Sequence, residues 1–286
     1  MTTLVQGTGS PLALDPNGAA RIIGERINPS GRSALRRALL ERDWAYLAAE
    51  AQRQVAAGAA LVDVNVGGKG IDEAALLPEA VRAVAAAVDV PLSIDTRDPR
   101  ALERALAVCP GRPLVNSIGG ERKVLEENLP IVAERGVPVV VLCMGQGGIP
   151  ADVEGRLCVA RQVFEAALRA GIKQQDIIFD PLVMTVGADD QAARVALETV
   201  RRLRAEFPAN SITGGASNVS YGMPDRQAVN AGFLTTAAVL GMNAPITDPT
   251  AAQVRAALLL ADVFLGHDRR LRGYMRHYRQ GRAPGA

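Results

Sequence analysis

The chain has 286 residues, 48% hydrophobic and 22% charged, with a formal net charge of +2, the profile of a globular protein with one large core or two modest ones. Charge this close to neutrality argues against the broad basic face that nucleic acid binding needs, and no segment approaches the ~20 apolar residues that span a bilayer. Cys109, Cys143 and Cys158 are too few and too irregularly spaced for a zinc site or a disulfide framework, which fits buried apolar roles in a reducing cytoplasm.

Residues 1–20 contain Gly7, Gly9, Pro11 and Pro16 and no basic start followed by an apolar run, so they read as a flexible arm and not as a signal peptide. From Arg21 onward, short β-branched runs alternate with longer Ala, Leu, Glu and Arg-rich stretches spaced as amphipathic helices. The predicted strands are RIIGERI (21–27), LVDVNV (61–66), PLSIDT (91–96), PLVNSI (113–118), PVVVLCM (138–144), IIFDP (177–181), SITGGAS (211–217) and APITDP (244–249). The predicted helices are Ala34 to Ala57, Glu73 to Ala87, Pro99 to Val108, Glu121 to Arg135, Asp152 to Ala170, Ala192 to Phe207, Arg226 to Leu240 and Thr250 to Leu265. Gly58, Gly136, Gly171 and Gly241 stand just beyond four of these helices, where a left-handed cap is easiest for glycine.

Eight strand–helix units in about 250 residues are the size of a closed parallel (β/α)8 barrel. A doubly wound open sheet fits the same alternation. With no composition break over residues 21–265, this α/β segment reads as a single domain. Residues 266–286 hold both histidines and six arginines and read as a basic tail, a solvated or frayed helix, with docking to an acidic partner as the alternative.

In a parallel barrel, strand interiors are apolar and the C-terminal strand ends face a shared mouth. Here nearly every strand finishes on a polar side chain: Glu25 and Asn28, Asp63 and Asn65, Asp95, Asn116, Asp180, Asn218 and Asp248. Any one of them alone is a candidate helix N-cap. As a set they point to a mouth lined with carboxylates and amides. Asp95 and Asp180 follow strongly apolar residues in SIDT and IFDP, so each carboxylate should be partly desolvated and should want a ligand that donates two parallel N–H bonds.

The absences narrow the chemistry. No histidine precedes position 267, which leaves the mouth without an imidazole base, a Ser-His-Asp triad or a His-bound metal. GGKG at 67–70 lacks the spacing and hydroxyl of a phosphate loop, and MGQGGIP at 144–150 lacks the dinucleotide spacing. Both read as mouth loops, the first carrying Lys69. Such a mouth suits a flat, nitrogen-rich heterocycle held by its edge, with chemistry supplied by the ligand and by proximity to a second reactant.

Six segments in order, IIGERIN, DVNVG, SIDT, VNS, FDPL and SNVS, resemble the pterin-binding barrels over about residues 21–250. The resemblance is nearest to the methyltetrahydrofolate:corrinoid protein methyltransferases and the folate module of cobalamin-dependent methionine synthase. It implies that Asp95, Asn116 and Asp180 hold the aminopyrimidine edge of the pterin. It also implies that Asn218 stands beside the methyl-bearing N5, that Glu25, Asn28, Asp63, Asn65 and Ser217 line the same cavity, and that Arg226 lies near the aminobenzoate end. An amide can accept from protonated N5 or donate to neutral N5 without changing its own charge, which suits Asn218 to a leaving group that must gain positive character.

The implied substrate is methyltetrahydrofolate. The implied methyl acceptor is a corrinoid carried by a separate corrinoid protein, because the chain lacks the D-x-H-x-x-G signature of cobalamin-binding modules. Resemblance alone suggests a homodimer; the cytoplasmic setting is the one that the cysteine usage already suggests. Tyr221 departs from the family, which commonly has glutamine there. The main alternative is a dihydropteroate synthase. That family reads Ser-Arg-Lys-Ser where this chain has Ser217, Asn218, Val219 and Ser220, and Arg-x-His where it has Thr247 and Asp248. A non-catalytic folate-binding module is the other alternative.

Overall fold

The computed structural model describes residues 2–280. Eight parallel strands form one sheet: β3 (Ile23–Ile27), β4 (Leu61–Asn65), β5 (Leu92–Asp95), β6 (Leu114–Gly120), β7 (Val139–Gly145), β8 (Ile177–Asp180), β9 (Thr213–Gly215) and β10 (Ala244–Thr247). First and last strands pair, Ile246 beside Ile23. The remaining seam, between β8 and β9, is joined by the isolated parallel bridge of Phe179 and Ile212, where Phe179 N donates to Ser211 O at 3.0 Å. The fold is thus the α/β barrel expected, and not an open doubly wound sheet.

Helices wrap the outside: α1 (Ser33–Glu41), α2 (Trp44–Ala56), α3 (Glu73–Ala87), α4 (Pro99–Val108), α5 (Arg122–Arg135), α6 (Val153–Arg169), α7 (Ala192–Glu206), α8 (Arg226–Leu240) and α9 (Ala252–Phe264). The stretch read as one helix from Ala34 to Ala57 is broken. Arg42 takes a left-handed φ of 55°, and Asp43 restarts the chain as the N-cap of α2, accepting from Tyr46 N at 3.0 Å. Beyond the barrel, α10 (Arg272–Gln280) gives the basic tail a helical turn, and residues 281–286 lie outside those described.

Residues 2–20 depart from the flexible arm expected over residues 1–20. β1 (Thr3–Val5) and β2 (Leu12–Leu14) form an antiparallel hairpin whose Val5 and Leu14 are fully buried. They pack on Ile23, Leu61, Leu114, Val140, Ile178, Ala244 and Ile246, so the hairpin stoppers the amino end of the barrel. Reciprocal bonds between Gln6 and Arg112, at 2.9 and 2.8 Å, tie it down. Burying Val5 and Leu14 is worth about 1.5–3 kcal/mol each.

The same cluster decides which way every strand faces. Side chains alternate across a strand with period two, and Ile23, Leu61, Leu114, Val140 and Ile178 belong to the inner cluster. Their neighbours Ile22, Val62, Val115, Val139 and Phe179 pack outward into the helix-facing core. Two residues further along each inner row come Glu25, Asp63, Asn116, Leu142 and Asp180. An apolar inner layer therefore carries a polar one directly above it, at the carboxyl ends of the strands.

Candidate active site

The densest part of the polar layer lies on β4, β5 and β6, where Asn65 pairs with Asp95 and Asp95 with Asn116 in register. Asn116 Nδ2 donates to Asp63 Oδ1 at 3.2 Å, with Asp63 only 2% and Asn116 8% exposed. Burial pushes the Asp63 carboxyl well above the usual range, and the neighbouring Asp95 charge pushes it further. Asp95 rises to about 6, chiefly through burial, opposed by hydrogen bonds from Asn65 and Asp63 and helped by the nearby Glu73 charge. The hydrogen bond between the pair raises Asp63 and lowers Asp95, so Asp63 holds a proton the more tightly of the two.

Asp180 ends β8 with 6% exposure. Its Oδ1 accepts from Leu182 N at 2.7 Å, capturing a leucine held at φ 64°. The buried Arg156 donates from Nη1 to the carbonyls of Pro181 and Leu182, both at 2.9 Å. Its guanidinium thus fixes the turn that aims Asp180. Burial raises Asp180 to about 6, against the Leu182 hydrogen bond and the Arg156 charge. Both Asp95 and Asp180 are then largely ionised at pH 7, with acceptor capacity to spare for a ligand's N–H groups.

Across the closing seam of β3 and β10 a second group forms around Glu25. Burial pushes its carboxyl up to about 7, with Ser217 as a hydrogen-bonding neighbour, Asp248 adding repulsion, and Arg32 and Arg226 opposing the rise. Ser217 Oγ lies 3.3 Å from Thr247 Oγ1. Arg226 holds the turn from outside, donating from Nη2 to Ser217 O at 2.9 Å and from Nε to Ser220 Oγ at 3.0 Å.

Asn218 sits on this turn. The strand predicted over 211–217 is shorter than expected: β9 stops at Gly215 and Ala216–Ser220 forms a 3-10 helix. A Cβ on Gly215 would stand 2.9 Å from Asn218 Nδ2, so glycine is what lets the amide lie against the strand end. The Asn218 side chain is exposed and makes no hydrogen bond among the described residues.

Other polar ends serve the backbone. Asn28 Oδ1 accepts from Ser30 N at 3.0 Å, Asn65 Oδ1 from Gly67 N at 2.7 Å and Asp248 Oδ1 from Thr250 N at 2.8 Å. These three act as turn acceptors, although Asn65 also reaches Asp95. Sequence reasoning missed the supports. Arg156 and Glu73 lie inside helical patterns, and Thr96 Oγ1 donates to Glu73 Oε2 at 2.7 Å. Arg26 bridges Asp248 at 2.6 Å and the buried Glu50; a charged residue inside the apolar run RIIGERI was the available signal.

Residues 24–248 match the family described as pterin binding enzyme. Methylcorrinoid:tetrahydrofolate methyltransferase of Eubacterium limosum is 31% identical over 263 residues, covering 91% of this chain and 97% of that protein. Methionine synthase of Mycobacterium leprae is 27% identical over 288 residues, 93% of this chain but 23% of that longer protein. Among solved structures, dihydropteroate synthase from Xanthomonas albilineans in complex with 7,8-dihydropteroate has a TM-score of 0.70 at 20% identity, over 91% of this chain and 98% of that one. The Thermus thermophilus dihydropteroate synthase has a TM-score of 0.67 at 22% identity, over 91% and 99%. Identity at that level shows the shared barrel alone.

Proposed function

This chain belongs to the pterin-binding enzyme family, and we propose that it is a methyltransferase acting between N5 of tetrahydrofolate and a corrinoid carried by a separate protein, in either direction. The observation that carries the reading is the match to the Eubacterium limosum methyltransferase along nearly the whole of both chains. The likeness to dihydropteroate synthases is one of fold. Asn218 and Val219 leave the turn after β9 without the Arg-Lys pair that the synthase pattern has there.

The donor set fits a reduced pterin. Asp95, half-buried, and Asp180, buried, ionised near neutrality at the same end of the barrel, would accept from the 2-amino group and ring N–H groups, with the amide of Asn116 completing the edge. A cationic ligand-holding residue inside the cup is not needed for this: the polar residues of the inner rows include Glu25, Asp63, Asn65, Ser93, Asp95, Asn116 and Asp180, carboxylates, amides and a hydroxyl. Asp63 would act one step back, fixing Asp95 and Asn116 through its own bonds.

Asn218 then faces N5 with both amide atoms unused. Methyl departure from N5 requires that nitrogen to gain positive character, and a group whose interaction strengthens as the C–N bond breaks accelerates the step. Glu25, titrating at about 7, would hold an exchangeable proton beside Ser217, the residue preceding Asn218. The corrinoid supplies the cobalt centre that takes or gives the methyl group. This chain's part is to bind the pterin, orient N5 and manage its proton.

The test is the absorbance change of cobalamin, reduced to Co(I), on mixing with methyltetrahydrofolate and the purified protein. Methyl transfer that depends on the protein and collapses in Asp95→Asn and Asn218→Ala supports the reading. Tight folate binding with no transfer to free cobalamin or to any corrinoid protein would instead make the chain a binding module.

A further inference from the structure

A cavity of about 560 Å³ lies on the outside of the barrel, between the end of α2 and the length of α9. Arg21 and Ile22, which lead into β3, and Gly58 and Ala60, which lead into β4, form its inner wall. It thus reaches the amino end of the sheet and shares no lining residue with the polar cup. α10 supplies the remaining wall through Gly273, Arg276 and His277. That helix is anchored at its start, where Asp268 accepts from Gly273 N and Tyr274 N, both at 2.8 Å, so its side chains face the cavity from a fixed backbone.

The charge of the lining is one-sided. Arg21, Arg255, Arg276 and His277 come from three separate segments, against one carboxylate, Asp262. Asp262 Oδ1 already accepts from Ala20 N at 3.1 Å and lies 3.4 Å from His267 Nδ1. Burial pushes this carboxyl up, and the Arg21 charge is among the influences that oppose the rise, so Asp262 offsets Arg21 and no more. Arg255 uses Nη1 on Pro249 O at 2.9 Å, which satisfies a donor and leaves its charge unpaired. The side chains of Arg276 and His277 make no hydrogen bond or ion pair among the described residues, and Asp268, the acid near Arg276, is taken up by the amides of α10. Beneath these groups the floor is apolar, with Ile22 and Leu258 buried. A cleft lined by one sign of charge over low-dielectric walls concentrates counter-ions, and guanidinium forks match the paired oxygens of phosphates and carboxylates.

We infer that the cavity between α2, α9 and α10 is a binding site for a small organic dianion with an apolar body, the chemistry shared by phosphate monoesters and dicarboxylates. Two guanidiniums beyond the one that Asp262 offsets set the charge, and Ile22 and Leu258 set the body. The volume is within the range of small-molecule pockets. The site is separate from the pterin cup, and it stands or falls independently of the methyl-transfer reading.

The test is calorimetric titration of the full chain with phenyl phosphate and phenylsuccinate, beside inorganic phosphate, which has no apolar body, and benzylamine, which has the opposite charge. At least one aryl dianion should bind saturably below 1 mM, with inorganic phosphate at least fivefold weaker and benzylamine not binding. Phenyl phosphate alone makes the site one for phosphate esters, phenylsuccinate alone one for dicarboxylates, and either upholds it. Arg276→Glu should weaken the bound dianion at least tenfold, the scale of a charge-assisted pair. Arg21→Gln should weaken it less, because Asp262 already offsets that charge. Arg279→Glu, on the same helix but outside the lining, should change it less than threefold. Failure of both aryl dianions to bind below 1 mM would overturn the site, as would equal losses in Arg276→Glu and Arg279→Glu, which would mark attraction to the tail at large. Inorganic phosphate binding as tightly as phenyl phosphate would overturn the apolar body. Complete displacement of the dianion by saturating tetrahydrofolate would place it in the barrel mouth and overturn the site as well.

Discussion

The amide of Asn116 on β6 donates to the carboxyl of Asp63 on β4 across the intervening strand, at 3.2 Å. Only side chains that both point into the barrel can reach over β5 in this way, so the bond fixes the inward polar row. It also separates two carboxyls that look alike in sequence. Burial and the Asp95 charge favour the neutral form of Asp63, so Asp63→Asn should disturb shape and charge less than Asp95→Asn. The thermal stability of Asp63→Asn at pH 7 should stay within about 1 kcal/mol of wild type, since the amide that replaces the carboxyl is neutral, can accept from Asn116 and can also donate. Asp95→Asn should fold equally well but lose folate by one to two orders of magnitude, about 1.4–2.8 kcal/mol, as the acceptor of a paired N–H edge is removed. Comparable folate loss in both variants in a binding titration would contradict this division of labour.

The raised carboxyls set a pH dependence for the ligand-free protein. Glu25 rises to about 7, and Asp95 and Asp180 to about 6. A carboxyl whose folded pKa exceeds its unfolded value binds a proton more tightly when folded. Its contribution is fully present below the unfolded pKa, near 4, and is lost as pH rises through the folded value. The free protein should therefore melt at a higher temperature at pH 5 than at pH 8. Glu25→Gln should remove a part of that slope on the order of 1–3 kcal/mol. A melting profile that climbs from pH 5 to 8 and is indifferent to Glu25 would contradict the assignment.

Arg26 joins β3 to two carboxylates, the 5%-exposed Glu50 and Asp248. Cutting one partner from a buried pair leaves an uncompensated charge, commonly at 3–5 kcal/mol. Here the lower figure applies, because Arg53 also pairs with Glu50. Arg26→Met should cost about 3 kcal/mol in urea unfolding, and Arg26→Met with Glu50→Leu should recover much of it, since the stranded charge is then gone. Failure of the second change to recover stability would show that Glu50 is not the source of the loss.

What was legible in the chain follows from how local each signal is. Asp95 and Asp180 were readable because an apolar strand ending in a carboxylate is a local pattern, and period-two alternation carries it to the barrel interior. The break at Arg42 was hidden because α1 and α2 both keep helical periodicity, and only the Asp43 cap divides them. Arg156 was hidden because its role is to hold carbonyls of Pro181 and Leu182 from another unit. The hairpin was hidden because three-residue strands set among glycines and prolines carry too few alternations to register. Its stability comes from Val5 and Leu14 finding Ile23, Leu61 and Ile178 far along the chain.

That long-range debt makes the hairpin testable. Leu14→Ala should destabilise the whole barrel by about 2–5 kcal/mol, the range for a fully buried leucine whose cavity cannot collapse. An arm merely resting on the surface would give less than ~0.5 kcal/mol. Urea unfolding of Leu14→Ala beside the exposed control Leu4→Ala, with Leu4 on the same hairpin and 50% exposed, separates the two. Equal midpoints for both variants would mean that the stopper is ornamental.

Glu25 connects the fold to the rate. It titrates at about 7 and neighbours Ser217, one residue from the amide proposed to face N5. If its proton supports departure of methyl from N5, the active form is the protonated one, populated below pH 7 and depleted above it. The rate of transfer from methyltetrahydrofolate should then be level toward pH 6 and fall by up to tenfold per unit above pH 7. In Glu25→Gln the fall should flatten, because the amide neither gains nor loses a proton, and kcat at pH 6 should drop by roughly 10²-fold, the lower end for a general acid. Asn218→Ala should lower kcat while keeping the Glu25 break near pH 7, since the carboxyl and its burial are untouched. A stopped-flow profile of cobalamin methylation from pH 5.5 to 8.5 reads all three proteins. A break near 7 that survives unchanged in Glu25→Gln would assign the titrating proton to the substrate or to another group.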